Sequence, residues 1–207
     1  MELNVDDIVQ WMINANDNIQ ENKDDLTTLD QPIGDGDHGI NMARGFQEVV
    51  AKVSNEHYDT VGAVLKDVAV TLMSKVGGAS GPLFGTAFLQ MSMTMKALTT
   101  VDRDAFVRGL TAALDGVKQR GKADAGEKTM IDVWQPVVTL CKETSDVRAD
   151  ELVQTAQAAM EKTKDMLATK GRAAYFKEKS IGHIDPGAAS SYYIFSALAE
   201  VLQEKNE

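Results

Sequence analysis

Residues 61–76 read VGAVLKDVAVTLMSKV, and apolar side chains recur in them at the spacing of an α-helix. Val61, Val64, Leu65, Val68 and Leu72 follow the i, i+3, i+4, i+7 pattern, which places them on one face of a helix. The run of residues 68–70 resembles a strand but lies inside this helical pattern. The segment therefore predicts an amphipathic helix with one face toward water.

The same helical spacing recurs along most of the chain. It is seen in residues 5–19, 106–117, 152–167 and 194–202, whereas strand-like alternation of apolar and polar residues is hard to find. The four prolines are scattered, and no glycine or serine tract suggests a linker. Because 207 residues is not far above the ~150 of a typical domain, we predict one all-α domain, residues 1–207. It should contain about seven or eight helices, with antiparallel neighbours joined by short loops.

Composition and charge exclude several classes of protein. Acidic residues outnumber basic ones by 31 to 21, and the net charge of −10 repels nucleic acid and anionic membranes at long range. No stretch approaches the ~18 apolar residues of a membrane span, and the N-terminus lacks the pattern of a secretion signal. We therefore expect a cytoplasmic protein with no nucleic-acid or membrane partner, whose single cysteine, Cys141, is a small core residue. A phosphorylated ligand would need a divalent cation to screen the carboxylates.

The first break in the helical pattern, residues 29–41, reads LDQPIGDGDHGIN and is rich in carboxylates. Asp30, Asp35 and Asp37 repel one another, so such a loop is stable mainly when a hard cation draws them together. Oxygen ligands suit Mg²⁺, Mn²⁺ or Ca²⁺ rather than Zn²⁺, and the closing glutamate of an EF-hand is missing. The alternative is that the aspartates only form turns and cap helices. His38 can equally cap the next helix, contact a ligand or pack.

The second break, residues 76–86, joins two helices through small residues. Ser80 or Gly81 is a candidate N-cap, and Pro82 would follow in the first turn, where its missing N–H has no cost. A helix N-terminus approached through glycines can bind a phosphate, although no Walker lysine follows. The alternative is a tight helix connection without a ligand.

Two later breaks carry weaker signals. In residues 120–132, Thr129 and Asp132 are spaced like the two members of a capping box, which is a structural role. In residues 182–188, Asp185 is a candidate N-cap with Pro186 as the first helical residue. Arg172, further upstream, is either a fork for phosphate oxygens or a solvated surface charge.

Taken together, the four breaks resemble the nucleotide-binding L subunit, or L domain, of dihydroxyacetone kinases. The matching segments are Asp30 with GDGDHG at 34–39 and Asn41, GGASGP at 77–82, KTMID at 128–132, GRA at 171–173 and GHIDPGA at 182–188. They span residues 30–188 in the order found in that family. No one of these short motifs would suffice alone.

The resemblance implies a fold and a ligand. The fold is an eight-helix antiparallel up-and-down barrel that holds ADP or ATP at one end through two Mg²⁺ ions. The implied metal ligands are Asp30, Asp35 and Asp37. The implied nucleotide-binding residues are His38, Gly39, Ile40, Asn41, Ala79, Ser80, Gly121, Met130, Arg172, Asp185, Pro186 and Gly187. Lys128, in the KTMID segment, receives no role.

The resemblance also implies a reaction and partners. A lone L domain is similar to the bacterial form in which bound ADP is rephosphorylated by the M subunit of the phosphoenolpyruvate:sugar phosphotransferase system. The phosphoryl group then passes to dihydroxyacetone on the K subunit, giving dihydroxyacetone phosphate. The segments contain no obvious base for the acceptor, which agrees with a triose held on a separate subunit. The alternatives are an ATP-exchanging kinase subunit for another small polyol or ketose, and a nucleotide-gated regulator of a transcription factor.

Overall fold

The computed structural model describes residues 2–205, which are mainly α-helical. The α-helices of this range are α1 (Val5–Glu21), α2 (Lys23–Asp30), α3 (His38–Val53), α4 (Val61–Lys75), α5 (Ser80–Thr94), α6 (Arg103–Gly121), α7 (Ile131–Glu143), α8 (Ala149–Lys162) and α9 (Pro186–Glu204). Two 3₁₀ segments, Thr163–Asp165 and Arg172–Ser180, lie between α8 and α9. The all-α prediction is confirmed, and α4 covers the segment whose spacing predicted a helix. None of the helices within residues 2–205 is both long and apolar enough to span a membrane.

A short two-stranded antiparallel sheet, which the sequence pattern did not predict, joins two helix starts. Strand β1 (Glu2–Asn4) pairs with strand β2 (Thr100–Asp102), so that Leu3 stands opposite Val101. Both of these apolar residues are fully buried. Each strand leads directly into a helix, and the last residue of the strand is the N-cap of that helix. Strands this short contain too few residues to show an alternating pattern.

Eight of the helices formed by residues 2–205 contact one another in a closed ring. Helix α1 contacts α3, each helix from α3 to α8 contacts the next one along the chain, and α9 returns to contact α1. The short α2 contacts α3 and α9 and is not a member of the ring. A closed ring of contacts is what an eight-helix barrel requires. It supports the predicted barrel, although the barrel and its up-and-down order both stay predictions.

The apolar core contains two buried tryptophans that both bond to α9. Trp11 of α1 donates a hydrogen bond from Nε1 to the carbonyl oxygen of Ile194 at 2.8 Å. Trp134 of α7 donates from Nε1 to Ser191 Oγ at 3.0 Å. Neither indole N–H is therefore left unpaired in the core. Cys141 of α7 is buried, as predicted, and desolvation raises the pKa of its thiol to about 11.

Candidate functional site

A cavity of about 710 Å³ lies where five connecting segments meet. The segments are the loop before α3, the α4–α5 connection, the turn before α7, the 3₁₀ segment at residues 172–180 and the start of α9. The candidate residues from the sequence that line it are Asp30, Asp35, Asp37, His38, Asn41, Ala79, Ser80, Met130, Arg172, Asp185, Pro186 and Gly187. Residues from distant parts of the chain thus share one cavity, and its size is within the range of small-ligand sites, about 300–1,000 Å³.

Three other candidate residues do not line this cavity. A Cβ at Gly39 would lie 2.0 Å from the carbonyl oxygen of Lys23, so glycine allows α3 to approach α2 at this point. The Ile40 residue is 54% exposed. Gly121 ends α6 at the surface, where a Cβ would lie 3.3 Å from Leu83 Cδ2, an atom of a cavity residue. The assignment of these three residues therefore rests on the resemblance alone.

The three aspartates of the loop before α3 converge. One carboxylate oxygen from each of Asp30, Asp35 and Asp37 lies within 4.8 Å of the other two. At such a separation two negative charges repel each other by about 1 kcal/mol even in water, and a divalent cation removes this repulsion. Three carboxylates are a donor set that suits Mg²⁺ or Mn²⁺. These residues therefore fit a hard metal ion.

The alternative of simple turn and cap residues accounts for only part of this loop. Asp30 Oδ2 accepts hydrogen bonds from the backbone N–H groups of Asp37, at 3.0 Å, and His38, at 3.2 Å. A Cβ at Gly34 would lie 1.8 Å from Asp30 Oδ1, so glycine is needed for the loop to wrap around this carboxylate. Asp37, in contrast, stands at the N-cap of α3, but its side chain accepts no capping hydrogen bond from the backbone of that helix. The loop thus fixes Asp30 and leaves the Asp37 carboxylate available to a ligand.

Arg172 brings a positive charge to the carboxylate cluster. Its Nη1 lies 2.9 Å from Asp35 Oδ2, and the two side chains are 58% and 41% exposed. An ion pair this exposed to water is weak and can be exchanged for another partner. Arg172 also lines the cavity, so its guanidinium can move to an anionic ligand there without leaving the site.

His38 is buried between three helices. Its Nε2 lies 2.7 Å from Ser190 Oγ in α9, and its Nδ1 lies 3.1 Å from Ser80 Oγ in α5. Desolvation lowers the pKa of the imidazole, while Asp30 and Asp37 oppose the shift. Burial therefore favours the neutral form of the ring. Among the three roles considered from the sequence, these contacts support packing, although the ring also reaches the cavity.

Neither Ser80 nor Gly81 is the N-cap of α5, so both candidate caps for this break were wrong. The helix begins at Ser80 itself, its N-cap is Ala79, and no side chain caps it. The Ser80 hydroxyl is engaged with His38 instead. Gly78, which precedes the cap, has a φ of +67°, a left-handed conformation that favours glycine. Because no side chain caps α5, backbone N–H groups of its first turn can donate to a ligand.

Three helices begin at the cavity. Helix α3 begins at His38, α5 at Ser80 and α9 at Pro186, and all three of these residues line the cavity. A helix N-terminus carries a partial positive charge and favours a bound anion. The cavity therefore combines carboxylates that suit a cation with helix ends that suit an anion, which is the arrangement that a metal–phosphate complex requires.

Asp185 caps α9, as the sequence predicted. Its Oδ2 accepts a hydrogen bond from the Ala188 N–H at 2.8 Å, and Pro186 is the first helical residue. Desolvation raises the pKa of the Asp185 carboxyl to about 7, although the Ala188 hydrogen bond and the charge of Lys128 oppose the shift. A half-buried carboxyl group with a pKa near neutrality is a common feature of functional sites.

Apolar side chains supply another part of the cavity wall. Met130 is buried, and its Cβ lies 3.6 Å from the position of a Cβ at Gly187. Leu83 and Phe84 of α5 line the cavity as well, but in the sequence they are indistinguishable from ordinary core residues of a helix. Thr129, the predicted cap of α7, stands one residue before the observed N-cap, Met130.

Lys170 and Tyr175 also line the cavity and were missed by the sequence analysis. Tyr175 belongs to the 3₁₀ segment Arg172–Ser180 and is 85% exposed. Such a segment has no apolar periodicity, so the only signal for these two residues was their proximity to Arg172 in the chain.

Comparisons with known proteins point to one family. The family model described as the DAK2 domain matches residues 32–200. The chain is 48% identical to "PEP-dependent dihydroxyacetone kinase 1, ADP-binding subunit DhaL" of Listeria innocua, over 93% of this chain and 94% of that protein. It is 40% identical to the PEP-dependent dihydroxyacetone kinase ADP-binding subunit DhaL of Escherichia coli, over 99% of this chain and 100% of that protein.

Two solved structures are similar to this chain in fold. The dihydroxyacetone kinase of C. freundii in its native form matches with a TM-score of 0.76 and 25% identity, over 93% of this chain and 34% of that one. The same kinase in complex with AMP-PNP and Mg²⁺ matches with a TM-score of 0.70 and 25% identity, over 93% of this chain and 33% of that one.

Proposed function

The chain belongs to the family of DAK2-domain proteins, and we propose that it is the ADP-binding subunit of a phosphoenolpyruvate-dependent dihydroxyacetone kinase. The observation that carries the proposal is the meeting of a three-carboxylate cluster and three helix N-termini at one cavity. A protein with a net charge of −10 would repel a nucleotide unless cations neutralised these carboxylates. The cavity offers carboxylates for the cations and helix N-termini for the phosphates of the nucleotide.

In this proposal Asp30, Asp35 and Asp37 hold two Mg²⁺ ions. Bound Mg²⁺ would screen the phosphates and stabilise the charge that develops during phosphoryl transfer. Asp30 is suited to this role because two backbone N–H groups already fix one of its oxygens. Asp35 would exchange its ion pair with Arg172 for the metal, and the guanidinium would then be free for a phosphate oxygen.

The nucleotide would lie with its phosphates at the helix starts and its adenine at the apolar wall. The segment at the start of α3 would border the phosphates with His38, Gly39, Ile40 and Asn41. Ala79 and Ser80 would do so at the start of α5, where no side chain competes for the first N–H groups. Met130 and Gly121 would contact the adenine side, and Arg172 with Asp185, Pro186 and Gly187 would close the cavity.

The reaction would consist of two phosphoryl transfers through one bound nucleotide. The M subunit of the phosphotransferase system would phosphorylate ADP on its β-phosphate, giving ATP. The γ-phosphoryl group would then move to a hydroxyl of dihydroxyacetone on the K subunit, giving dihydroxyacetone phosphate and regenerating ADP. The residues of this chain would orient the phosphates, and the proton of the acceptor hydroxyl would be taken up on the K subunit. The nucleotide would thus serve as a cofactor.

Retention of the nucleotide tests the proposal. Protein passed through gel filtration in Mg²⁺ should carry stoichiometric ADP, detected by mass spectrometry after denaturation. With dihydroxyacetone as the acceptor and phosphoenolpyruvate as the phosphoryl donor of the phosphotransferase system, it should form dihydroxyacetone phosphate and pyruvate only when K and M subunits are added. Failure to bind either ADP or ATP in the presence of Mg²⁺ would refute the proposal. Rapid nucleotide exchange with ATP-driven phosphorylation of another ketose or polyol would instead favour the ATP-exchanging alternative.

A further inference from the structure

Lys128 is buried in the wall of the candidate site. The residue is 1% exposed and has a φ of +62°, a left-handed conformation that is uncommon outside glycine. Burying an ammonium group costs several kcal/mol unless all of its donors are hydrogen-bonded. The hydrogen-bond partners of the Lys128 ammonium group should therefore show why the side chain is buried.

The ammonium group of Lys128 donates to three backbone carbonyl oxygens. Its Nζ lies 2.6 Å from the carbonyl oxygen of Thr163 and 3.3 Å from that of Met166, and it also donates to the carbonyl oxygen of His183. An ammonium group has three N–H donors and no acceptor, so the three carbonyls match it in number and kind. They belong to two separate segments, one that follows α8 and one that precedes α9.

These two segments hold the beginning of α9 in place. The Asp185 N–H donates to Thr163 Oγ1 at 3.0 Å, and the Gly182 N–H donates to the carbonyl oxygen of Lys164 at 2.7 Å. Thr163 is therefore a junction, because its carbonyl binds Lys128 and its hydroxyl binds the N-cap of α9. Lys128 itself is joined through Thr129 to Met130, whose side chain faces Gly187 across the cavity wall.

We propose that Lys128 is a positioning residue for nucleotide binding. It holds the start of α9 against Met130 in the apolar wall of the cavity. The inference rests on the proposed function, in which this cavity holds ADP. Lys128 lines the cavity, but its three N–H donors are taken by backbone carbonyls, so it acts through Asp185 and Met130 and not through a bond of its own to the phosphates. Without its ammonium group, three buried carbonyls lose their donor, and the segments at 163–166 and 182–185 lose the link that holds them together.

The charges around Lys128 agree with this role. Burial lowers the pKa of the Lys128 ammonium group, and the charges of Asp185, Asp165 and Asp132 oppose this shift. Asp185 in turn is stabilised in its ionised form by Lys128. The lysine thus contributes positive charge beneath the N-cap of α9 in addition to three hydrogen bonds.

The test compares Lys128→Met with Lys122→Met. Methionine has an unbranched side chain of similar length, and it removes the charge and the hydrogen-bond donors. Lys122 is the matched control because it is also left-handed, with a φ of +49°, but it is exposed at the end of α6. Isothermal titration calorimetry with ADP and Mg²⁺ should show Kd raised at least about tenfold in Lys128→Met and unchanged in Lys122→Met. Hydrogen exchange without nucleotide should accelerate at residues 182–185 in Lys128→Met only.

A structural role alone predicts a different result. It would lower the melting temperature and leave Kd within about twofold of the wild type, and that outcome overturns the inference while the proposed function stands. Wild-type protein that does not bind ADP overturns both. Thr163→Val removes the acceptor of the Asp185 N–H and should raise Kd as well, and the double variant with Lys128→Met should bind no more weakly than Lys128→Met alone. Full additivity would contradict the shared path. If Lys128→Met does not fold, Lys128→Arg, which keeps the charge but misplaces the donors, takes its place in the same comparison.

Discussion

Replacing Asp37 with asparagine should stabilise the metal-free protein and abolish its binding of nucleotide. Asparagine keeps the size of the side chain and removes one of the three negative charges that lie within 4.8 Å of one another. The substitution removes the repulsion of Asp37 with Asp30 and with Asp35, which is about 1 kcal/mol for each pair in water. The Asp37 charge also favours the positive N-terminus of α3, and this favourable interaction, up to about 1 kcal/mol, is lost. The expected net gain is therefore about 1 kcal/mol.

Thermal unfolding with and without ligand measures both effects. A gain of about 1 kcal/mol corresponds to a rise in Tm of about 2–4 °C for a chain of this size, detected by circular dichroism in EDTA at low ionic strength. With Mg²⁺ present and ADP at about 100 times Kd, the wild type gains about 2.7 kcal/mol. Asp37→Asn should gain almost nothing, so the order of the two melting temperatures should reverse.

Asp59→Asn is the matched control for this experiment. It also removes one negative charge, but from a side chain that is 94% exposed and lies outside the cluster. It should melt and bind like the wild type in both buffers. The reasoning is refuted if Asp37→Asn melts below the wild type in EDTA, or if it binds ADP and Mg²⁺ with the wild-type Kd.

Three further changes test other parts of the site. Gly34→Ala should displace the Asp30 carboxylate, because the new Cβ would lie 1.8 Å from Asp30 Oδ1. Calorimetry should show the Kd for ADP with Mg²⁺ raised at least about tenfold, while the helical circular dichroism is retained. An unchanged Kd would contradict the metal assignment. Arg172→Met should speed ADP release about tenfold in stopped-flow fluorescence with little change in Tm, because its ion pair with Asp35 is exposed; equal release rates would exclude the phosphate role. Asp185 has a pKa raised from 3.8 to about 7, so the folded state binds more protons than the unfolded state, and metal-free stability should fall as the pH rises between these values. Asp185→Asn should flatten that part of the profile in urea unfolding, and an identical profile would show that another group is responsible.

The helices and one of their caps could be predicted because their determinants are local. The apolar stripe that defines α4 lies within residues 61–76, and the Asp185–Pro186 pair that begins α9 needs no distant partner. The acidic loop was visible for the same reason, since an unusual density of carboxylates appears within a few residues. Signals of this kind depend on spacing along the chain and survive without knowledge of the fold.

The features that were missed depend on contacts between distant residues. Strands β1 and β2 form only because their two segments meet, and each is too short to carry a pattern of its own. Ser80 is a reasonable cap from its local sequence, but its hydroxyl is bound to His38, which comes from another helix. Lys128 received no role from the sequence, because the carbonyls that bind its ammonium group belong to residues 163, 166 and 183, far along the chain.

The site itself falls between these two cases. Asp30, Asp35 and Asp37 were recognisable as a group from the loop alone. Their meeting with Met130 and Asp185 at one cavity follows from the way the helices close into a ring, and spacing along the chain does not show it. Short motifs therefore indicated which residues to examine, while the packing of the helices determined which of them share a wall.

The double role of α9 links assembly of the protein to its ability to hold a ligand. This helix returns to contact α1, and its first residues, Pro186 and Gly187, form part of the cavity. A nascent chain therefore cannot complete the site until residues 186–204 have left the ribosome and packed against α1. Ligand present in the cell would then stabilise finished molecules by mass action and leave unfinished ones exposed to proteases.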